Sequence, residues 1–280
     1  MLNNILIIGL GMMGGSLCKS IKKNKISKKI SAFDNNKSSI TFALKNKLID
    51  HQVTDFEKMQ HPDLVILCTP LSSYLSVIKK LVSTINKKTM ITDIGSSKGL
   101  LHNKIIRLVS DSNISYVSSH PMTGSEKSGI KYHRIEMFKN KVVFIVDKKS
   151  SSKIQYLKLK KFWELMGAIT YDIDSKTHDL LMSQTSHIAH LMSYIFMDSL
   201  PQSIIDKNLQ LLLGGGIKEH VRLSKSNPQM WTDIFLNNNK NILDSLDRMQ
   251  NSATKIKKIL KSNNAIKLNE LLKSIQIKTK

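Results

Sequence analysis

Histidine is the side chain best suited to exchange a proton near neutral pH, and His120 stands where such an exchange is useful. It follows an apolar run at residues 115–117 and precedes Pro121, which biases it toward extended backbone. The segment Ser119-His120-Pro121-Met122-Thr123-Gly124-Ser125-Glu126-Lys127-Ser128-Gly129 carries hydroxyls, a carboxylate and two glycines, a composition that suits a loop wrapped on a ligand. A second polar segment, Asp93-Ile94-Gly95-Ser96-Ser97-Lys98, follows another apolar run. If both runs are strands of one parallel sheet, both segments leave it at the carboxyl edge, where open α/β sheets bind ligands. At that edge, beside a nicotinamide, a neutral imidazole takes the proton of an alcohol as hydride leaves its carbon. A lone His-Pro pair is more often structural, so the reading depends on what stands beside it.

A hydride acceptor is implied by the start of the chain. An apolar run ends in Gly9-Leu10-Gly11-Met12-Met13-Gly14, and a helical pattern follows at once. In the order strand, G-x-G-x-x-G, helix, the first glycine makes the turn and the second admits a pyrophosphate. The third packs helix on strand, and the helix N-terminus offers free amides. Asp34 ends the next apolar run, at the spacing where an acid receives both ribose hydroxyls and repels a 2′-phosphate. NAD is therefore expected over NADP, although Lys37 lies close by. Thr69, just past the following apolar run, is counted with the cofactor-binding residues. A Walker-type phosphate loop is absent, which removes kinase and ATPase readings.

The second half offers binding groups. His187 and His190 are three apart and share a helical face, with Gln184 and Tyr194 near the same stripe. No third ligand stands out, so no metal site is expected. Gly214-Gly215-Gly216 interrupts the helical pattern, and Glu219 and Arg222 follow. Of 43 basic residues only Arg107, Arg134, Arg222 and Arg248 are arginine. A lysine-biased chain that keeps Arg222 has a use for its planar fork, either on a substrate carboxylate or on Glu219 at i, i+3. Trp231 follows Asn227-Pro228 and reads as a packing anchor.

The elements that must position these groups fall into two kinds. Up to about residue 150, short apolar runs at residues 5–8, 30–33, 63–68, 89–92, 115–117 and 142–146 alternate with amphipathic stretches at 16–23, 38–47, 74–85 and 100–109. That alternation predicts a parallel sheet covered by helices. Residues 154–167 form a further helical stretch, and 170–173 a last strand. Beyond it, helical periodicity runs through 176–200, 204–213, 217–224, 228–262 and 265–275. The expected architecture is α/β: a Rossmann-type dinucleotide-binding domain over residues 1–170, then an all-helical domain over 171–280. The helices are apolar over wide faces, which predicts a homodimer through the second domain.

Composition sets the class. With 280 residues and 41% hydrophobic content the chain can build two cores. Cys18 and Cys68 sit in apolar segments and read as small core residues of a reducing compartment. No signal-peptide pattern or long apolar run is present, so a cytoplasmic protein without a membrane span is expected. The net charge of +22 raises a nucleic-acid binder as a reading from a different class. The scarcity of arginine and the scatter of lysines favour a plain lysine bias and no nucleic-acid partner.

Together these residues identify the chain as resembling the bacterial prephenate, arogenate and cyclohexadienyl dehydrogenases. The resemblance runs from the N-terminus to at least Asn237. It is carried by Gly9 to Ser16, Asp93 to Lys98, His120 to Gly129, Ser186 to His190, Gly214 to Arg222 and Pro228 to Phe235. It implies a nucleotide-binding domain followed by a helical domain that forms the dimer. It implies NAD-dependent oxidative decarboxylation of prephenate to 4-hydroxyphenylpyruvate on the way to tyrosine. Arogenate oxidation, giving tyrosine directly, or another hydroxyacid dehydrogenation are the alternatives. Carried onto these positions, it makes His120 the base and has Ser96 orient it and touch the same hydroxyl. His190 and Arg222 bind the substrate, Arg222 through a carboxylate, with His187 near them. Ser125 and Glu126 line the pocket, and Trp231 supports it. The chain departs from the family where Ser186-His187-Ile188-Ala189-His190 replaces a frequent Ser-His-Leu-Pro-His, and where Glu219 replaces a frequent aspartate. An appended mutase or regulatory domain is not expected within these 280 residues.

Overall fold

The computed structural model describes residues 1–125, 127–148, 151–202 and 214–277. The first part is built on a six-stranded sheet of order β3-β2-β1-β4-β5-β6, every neighbouring pair parallel. Its strands are β1 (Leu2–Ile8), β2 (Ser27–Phe33), β3 (His51–Gln52), β4 (Leu64–Leu67), β5 (Thr89–Asp93) and β6 (Ile114–Tyr116). Helices α1 (Met12–Lys23), α2 (Lys37–Lys45), α3 (Tyr74–Thr84) and α4 (Gly99–Val109) make the crossovers. β4 is Leu-Val-Ile-Leu and buried throughout, as a strand covered on both faces must be. Side chains of β1 serve both layers. Ile5 and Ile7 pack with α1 and α2, and Leu6 and Ile8 pack with α3 and α4.

The expectation of one parallel sheet is corrected here. Residues 118–121 form β7 (Ser118–Pro121), which leaves the main sheet and pairs antiparallel with β8 (Val142–Val146). After α5 (Lys153–Leu165), β9 (Ile169–Ile173) adds parallel to β8. The corner between β6 and β7 contains no glycine or proline, so it carries no turn signal. Asp93 makes it. One carboxylate oxygen accepts from Tyr116 Oη (2.8 Å), Ser118 Oγ (2.8 Å) and the Ser119 amide (3.3 Å). The other accepts from Lys98 Nζ at 2.6 Å. Lys98 also donates to the Ser119 carbonyl (2.8 Å), so one lysine ties the loop after β5 to the start of β7.

The helical part comprises α6 (Ser175–Met182), α7 (Ile188–Asp198), α8 (Gly215–Ser224), α9 (Pro228–Asn237), α10 (Asn239–Lys261) and α11 (Ala265–Ile277). Residues 204–213, expected to be helical, lie outside the described residues. Two long periodic stretches prove to be interrupted. Between α6 and α7 the helix widens into a π turn at Ser183–His187, a local change that recurs at functional sites. Between α9 and α10 the chain breaks at Asn238. The buried Asn238 amide donates to the Asp179 carbonyl at 2.8 Å and lies 3.1 Å from His187 Nδ1. Asparagine is a weak breaker, so the hydrophobic period ran straight through it. Among the described residues no helix is long and apolar enough to cross a membrane.

The Asp93–Lys98 pair is almost fully buried. Removing one partner strands the other charge, which typically costs about 3–5 kcal/mol. Lys98→Met is expected to lose that much in chemical denaturation. Lys22→Met, which breaks the solvent-exposed pair with Asp50, is expected to change little. Equal effects from the two variants would contradict the role given to the buried pair.

Candidate active site

The first turn of α1 opens at the carboxyl end of β1. Gly9 has φ +99°, and a Cβ there would stand 2.7 Å from the Cys68 carbonyl carbon. A Cβ on Gly14 would stand 2.0 Å from the Gly9 carbonyl oxygen. Both positions therefore exclude other residues. Gly11 is different, because a Cβ there meets nothing within 4 Å. The space over Gly11 is free, and no side chain caps the helix that begins after it. This open cradle at a helix N-terminus fits a pyrophosphate. Leu10, Met12 and Met13 complete the turn, with Leu10 and Met12 facing the core. Asp34 stands at the end of β2, and its carboxylate accepts from the Leu10 amide (2.5 Å) and the Asn36 amide (2.7 Å). Asp34 thus holds the glycine turn in place. Thr69 follows β4, and its hydroxyl accepts from Ser73 Oγ at 2.7 Å.

His120 lies on β7 at the same edge, only 8% exposed. Its Nδ1 is 2.9 Å from His178 Nε2, and His178 Nδ1 is 2.8 Å from Asp179 Oδ1. Burial drives the His120 pKa well below its ordinary value, and the neighbouring His178, Lys98 and His187 push the same way. The ring is therefore neutral and ready to accept. The resemblance had Ser96 orient this histidine. Among the described residues the hydrogen bond from the His120 ring goes to His178 instead. Ser96 belongs to the loop beside it, and its backbone lies next to His187. Ser97, Lys98 and Gly99 of that loop all point donors at Asp179.

His187 is fully buried. Burial first of all lowers its pKa to about 4. His190 stacks on Trp231 with ring centroids 3.8 Å apart, and His187 meets the same indole edge-on at 6.0 Å. The charges of Arg222 and Glu219 are felt at His190. The structure thus links His187, His190, Trp231 and Arg222, and His187 joins this group to Ser96 and His120. Arg222 grips Glu219 through two hydrogen bonds, of 2.9 and 2.5 Å, which is the alternative raised for it from the sequence. Both side chains are about half exposed, so the fork stands at the rim. Ser125 lies on the loop after β7, where its hydroxyl accepts from the Lys127 amide (3.2 Å). Glu126 lies outside the described residues. His178 and Asp179 were missed. The signal available was an ionisable pair beside the apolar Leu180-Leu181-Met182, on a face that turns out to be buried.

A sheet of order 3-2-1-4-5-6 with a glycine cradle, an acid at the end of β2 and a buried neutral histidine defines a dinucleotide-dependent dehydrogenase. Comparison with known proteins fixes the family. A profile for the prephenate dehydrogenase nucleotide-binding domain matches residues 17–172, and one for the prephenate dehydrogenase dimerization domain matches residues 174–274. The chain belongs to the prephenate dehydrogenase family. It is 30% identical to a prephenate dehydrogenase of Bacillus subtilis over 95% of this chain and 72% of the relative. It is 26% identical to a cyclohexadienyl dehydrogenase of Zymomonas mobilis over 98% of this chain and 94% of the relative. A crystal structure of the A. aeolicus prephenate dehydrogenase with hydroxyphenyl propionate and NAD+ superposes with a TM-score of 0.89. It is 30% identical and covers 100% of this chain and 98% of its own. The chain is an NAD-dependent dehydrogenase.

Proposed function

We propose that the chain oxidises and decarboxylates prephenate to 4-hydroxyphenylpyruvate, with His120 as the base. The observation that carries this reading is a buried imidazole held neutral at the carboxyl edge of the sheet. Bound at the Gly9–Gly14 cradle and Asp34, NAD supplies the hydride acceptor. The chain's own residues do the rest. His120 Nε2 takes the proton from the ring hydroxyl as that carbon is oxidised. Loss of carbon dioxide then makes the ring aromatic, and the proton returns to the phenolic oxygen. Ser96 bears on the same hydroxyl from the neighbouring loop. Arg222, exchanging Glu219 for substrate, grips a carboxylate. His187, His190 and Ser125 line the pocket, and Trp231 backs His190. The task is chiefly to hold three groups in register, because aromatisation drives the chemistry.

The domains divide near residue 170, with 1–170 holding the cofactor and 171–280 the substrate and the partner copy. Apolar side chains stand exposed on the helices, among them Leu180, Leu181, Ile195 and Leu243, and the matching profile is a dimerization domain. These two facts support a homodimer, which light scattering at micromolar concentration checks: a monomer overturns it. A cytoplasmic location and the absence of a nucleic-acid partner belong to the same reading.

The direct test is NADH formation from prephenate and from arogenate, each with NAD and NADP. Prephenate with NAD is expected to be the best pair. His120→Asn is expected to lower turnover by about a hundredfold to ten-thousandfold, the usual loss for a general base, with NAD affinity kept. Because the His120 pKa is lowered, the base form survives acidification. The acid limb of kcat/KM, which reports the free enzyme, should therefore lie below the ordinary histidine value of 6.5. Turnover within a fewfold of the parent in His120→Asn removes the base assignment.

For Arg222→Ala, the KM for prephenate should rise on the order of ten- to a hundredfold, the worth of a charge-assisted pair. Arg222→Lys should recover part of this, since it keeps the charge and loses the fork. A folded alanine variant with unchanged KM would show that the fork serves only Glu219.

A further inference from the structure

We propose that Asp179 and His178 are positioning residues that fix the tautomer of His120, leaving its Nε2 bare to accept the substrate proton. The proposal rests on His120 being the base and says how the chain makes it one. Its grounds are the hydrogen bonds that link Asp179, His178 and His120 and the direction each must run.

The Asp179 carboxylate receives the Gly99 amide at 2.6 Å and the Lys98 amide at 2.9 and 3.2 Å. Ser97 Oγ stands at 3.4 Å. A carboxylate surrounded by N–H donors accepts from all of them. His178 Nδ1, 2.8 Å from the same carboxylate, must then carry a hydrogen and donate it. His178 is fully buried, with Lys98 nearby, and burial lowers its pKa, so it is neutral. A neutral ring with its hydrogen on Nδ1 has a lone pair on Nε2. That lone pair faces His120 Nδ1 at 2.9 Å, so His120 must place its hydrogen on Nδ1. Only Nε2 of His120 is left without a proton. The reverse order would aim the lone pair of His178 Nδ1 at a carboxylate.

In the step itself the substrate O–H bond breaks and a His120 Nε2–H bond forms. The oxygen's electron pair goes into the new carbonyl as hydride leaves the carbon. The positive charge formed on His120 is met by His178, already polarised by Asp179. No further proton has to move. The groups facing this chain are Lys98 and Asp93 around His178, and Lys98 and His187 around His120.

Asp179→Asn is the decisive variant. Its oxygen is claimed by the Gly99 and Lys98 amides, so its NH2 turns to His178 Nδ1. The His178 hydrogen then sits on Nε2, and His120 must accept at Nδ1 and carry its hydrogen on Nε2. Turnover is expected to fall on the order of a thousandfold or more, as when tautomer control is lost in a Ser-His-Asp triad, while NAD affinity and the KM for prephenate stay near the parent. His178→Gln, whose carbonyl can accept from His120 Nδ1, should recover much of the turnover that His178→Leu loses. The 15N spectrum of the labelled, full-length protein reads the tautomers without any assay. It should show His120 as Nδ1–H in the parent and as Nε2–H in Asp179→Asn. His120 as Nε2–H in the parent overturns the proposal even if the variant fails to fold. If His120→Asn is inactive but Asp179→Asn and His178→Leu keep turnover and the pH profile, the positioning role is wrong and the base stands. If His120→Asn itself keeps turnover, the base assignment fails first.

Discussion

A carboxylate buried in a protein must be answered by donors, and the segment after β5 is built around two of them. Asp93 and Lys98 neutralise each other at 2.6 Å inside the core. Burial alone would raise the Asp93 pKa; the charge of Lys98 and its hydrogen bonds instead bring it below the ordinary value. The same carboxylate gathers Tyr116, Ser118 and Ser119, and so bends the chain out of one sheet into the next. Asp179 meets the segment from the other side through the amides of Lys98 and Gly99. Clamped from both directions, residues 93–99 have little freedom, and Ser96 and His120 inherit their positions from that clamp.

The sequence made the nucleotide-binding half legible because its constraints are local. Gly9 and Gly14 occupy positions where a Cβ strikes backbone, so the glycines are forced and their spacing is readable. Asp34 ends a strand whose periodicity is plain. The corner at residues 116–118 was not legible, because its cause is Asp93, a residue 23 and 25 positions away from its partners. The break at Asn238 failed to show for a similar reason. Its amide is committed to Asp179, 59 residues earlier, and asparagine is only a weak mark of a helix end. His120 could be singled out by its loop, but its orientation depends on a histidine 58 residues later. The resemblance supplied the pocket and assigned the orienting role to Ser96. The geometry gives the contact to His178.

The electrostatics of the site run against the charge of the chain. A protein of net charge +22 keeps four histidines near its reacting centre, and burial lowers the pKa of each. Lys98, the cation among them, is itself spent on Asp93. Besides this pair, the buried carboxylate of Asp179 is met by the Lys98 and Gly99 amides and by His178 rather than by a cation. The fork of Arg222, paired with Glu219, stands at the rim, where water lowers the cost of carrying a charge. Under the proposed function, an anionic substrate is gripped at the rim while the His120 ring stays uncharged.

The division into two parts does not divide the chemistry. The nucleotide-binding profile ends at residue 172 and the dimerization profile begins at 174, so His120 falls on one side and His178 with Asp179 on the other. Asp179 holds α6 against the loop of the first part, and Asn238 ties the start of α10 to the same place. Ser72 and Asp233 add a second tie, since the Ser72 amide and hydroxyl both donate to that carboxylate, at 2.9 and 2.6 Å. A nucleotide-binding part taken alone would keep its glycine cradle, because Gly9, Gly14 and Asp34 find their partners within it. It would lose the ring that faces His120 Nδ1. In this fold, cofactor binding is a property of the first part, whereas the state of the His120 ring belongs to both.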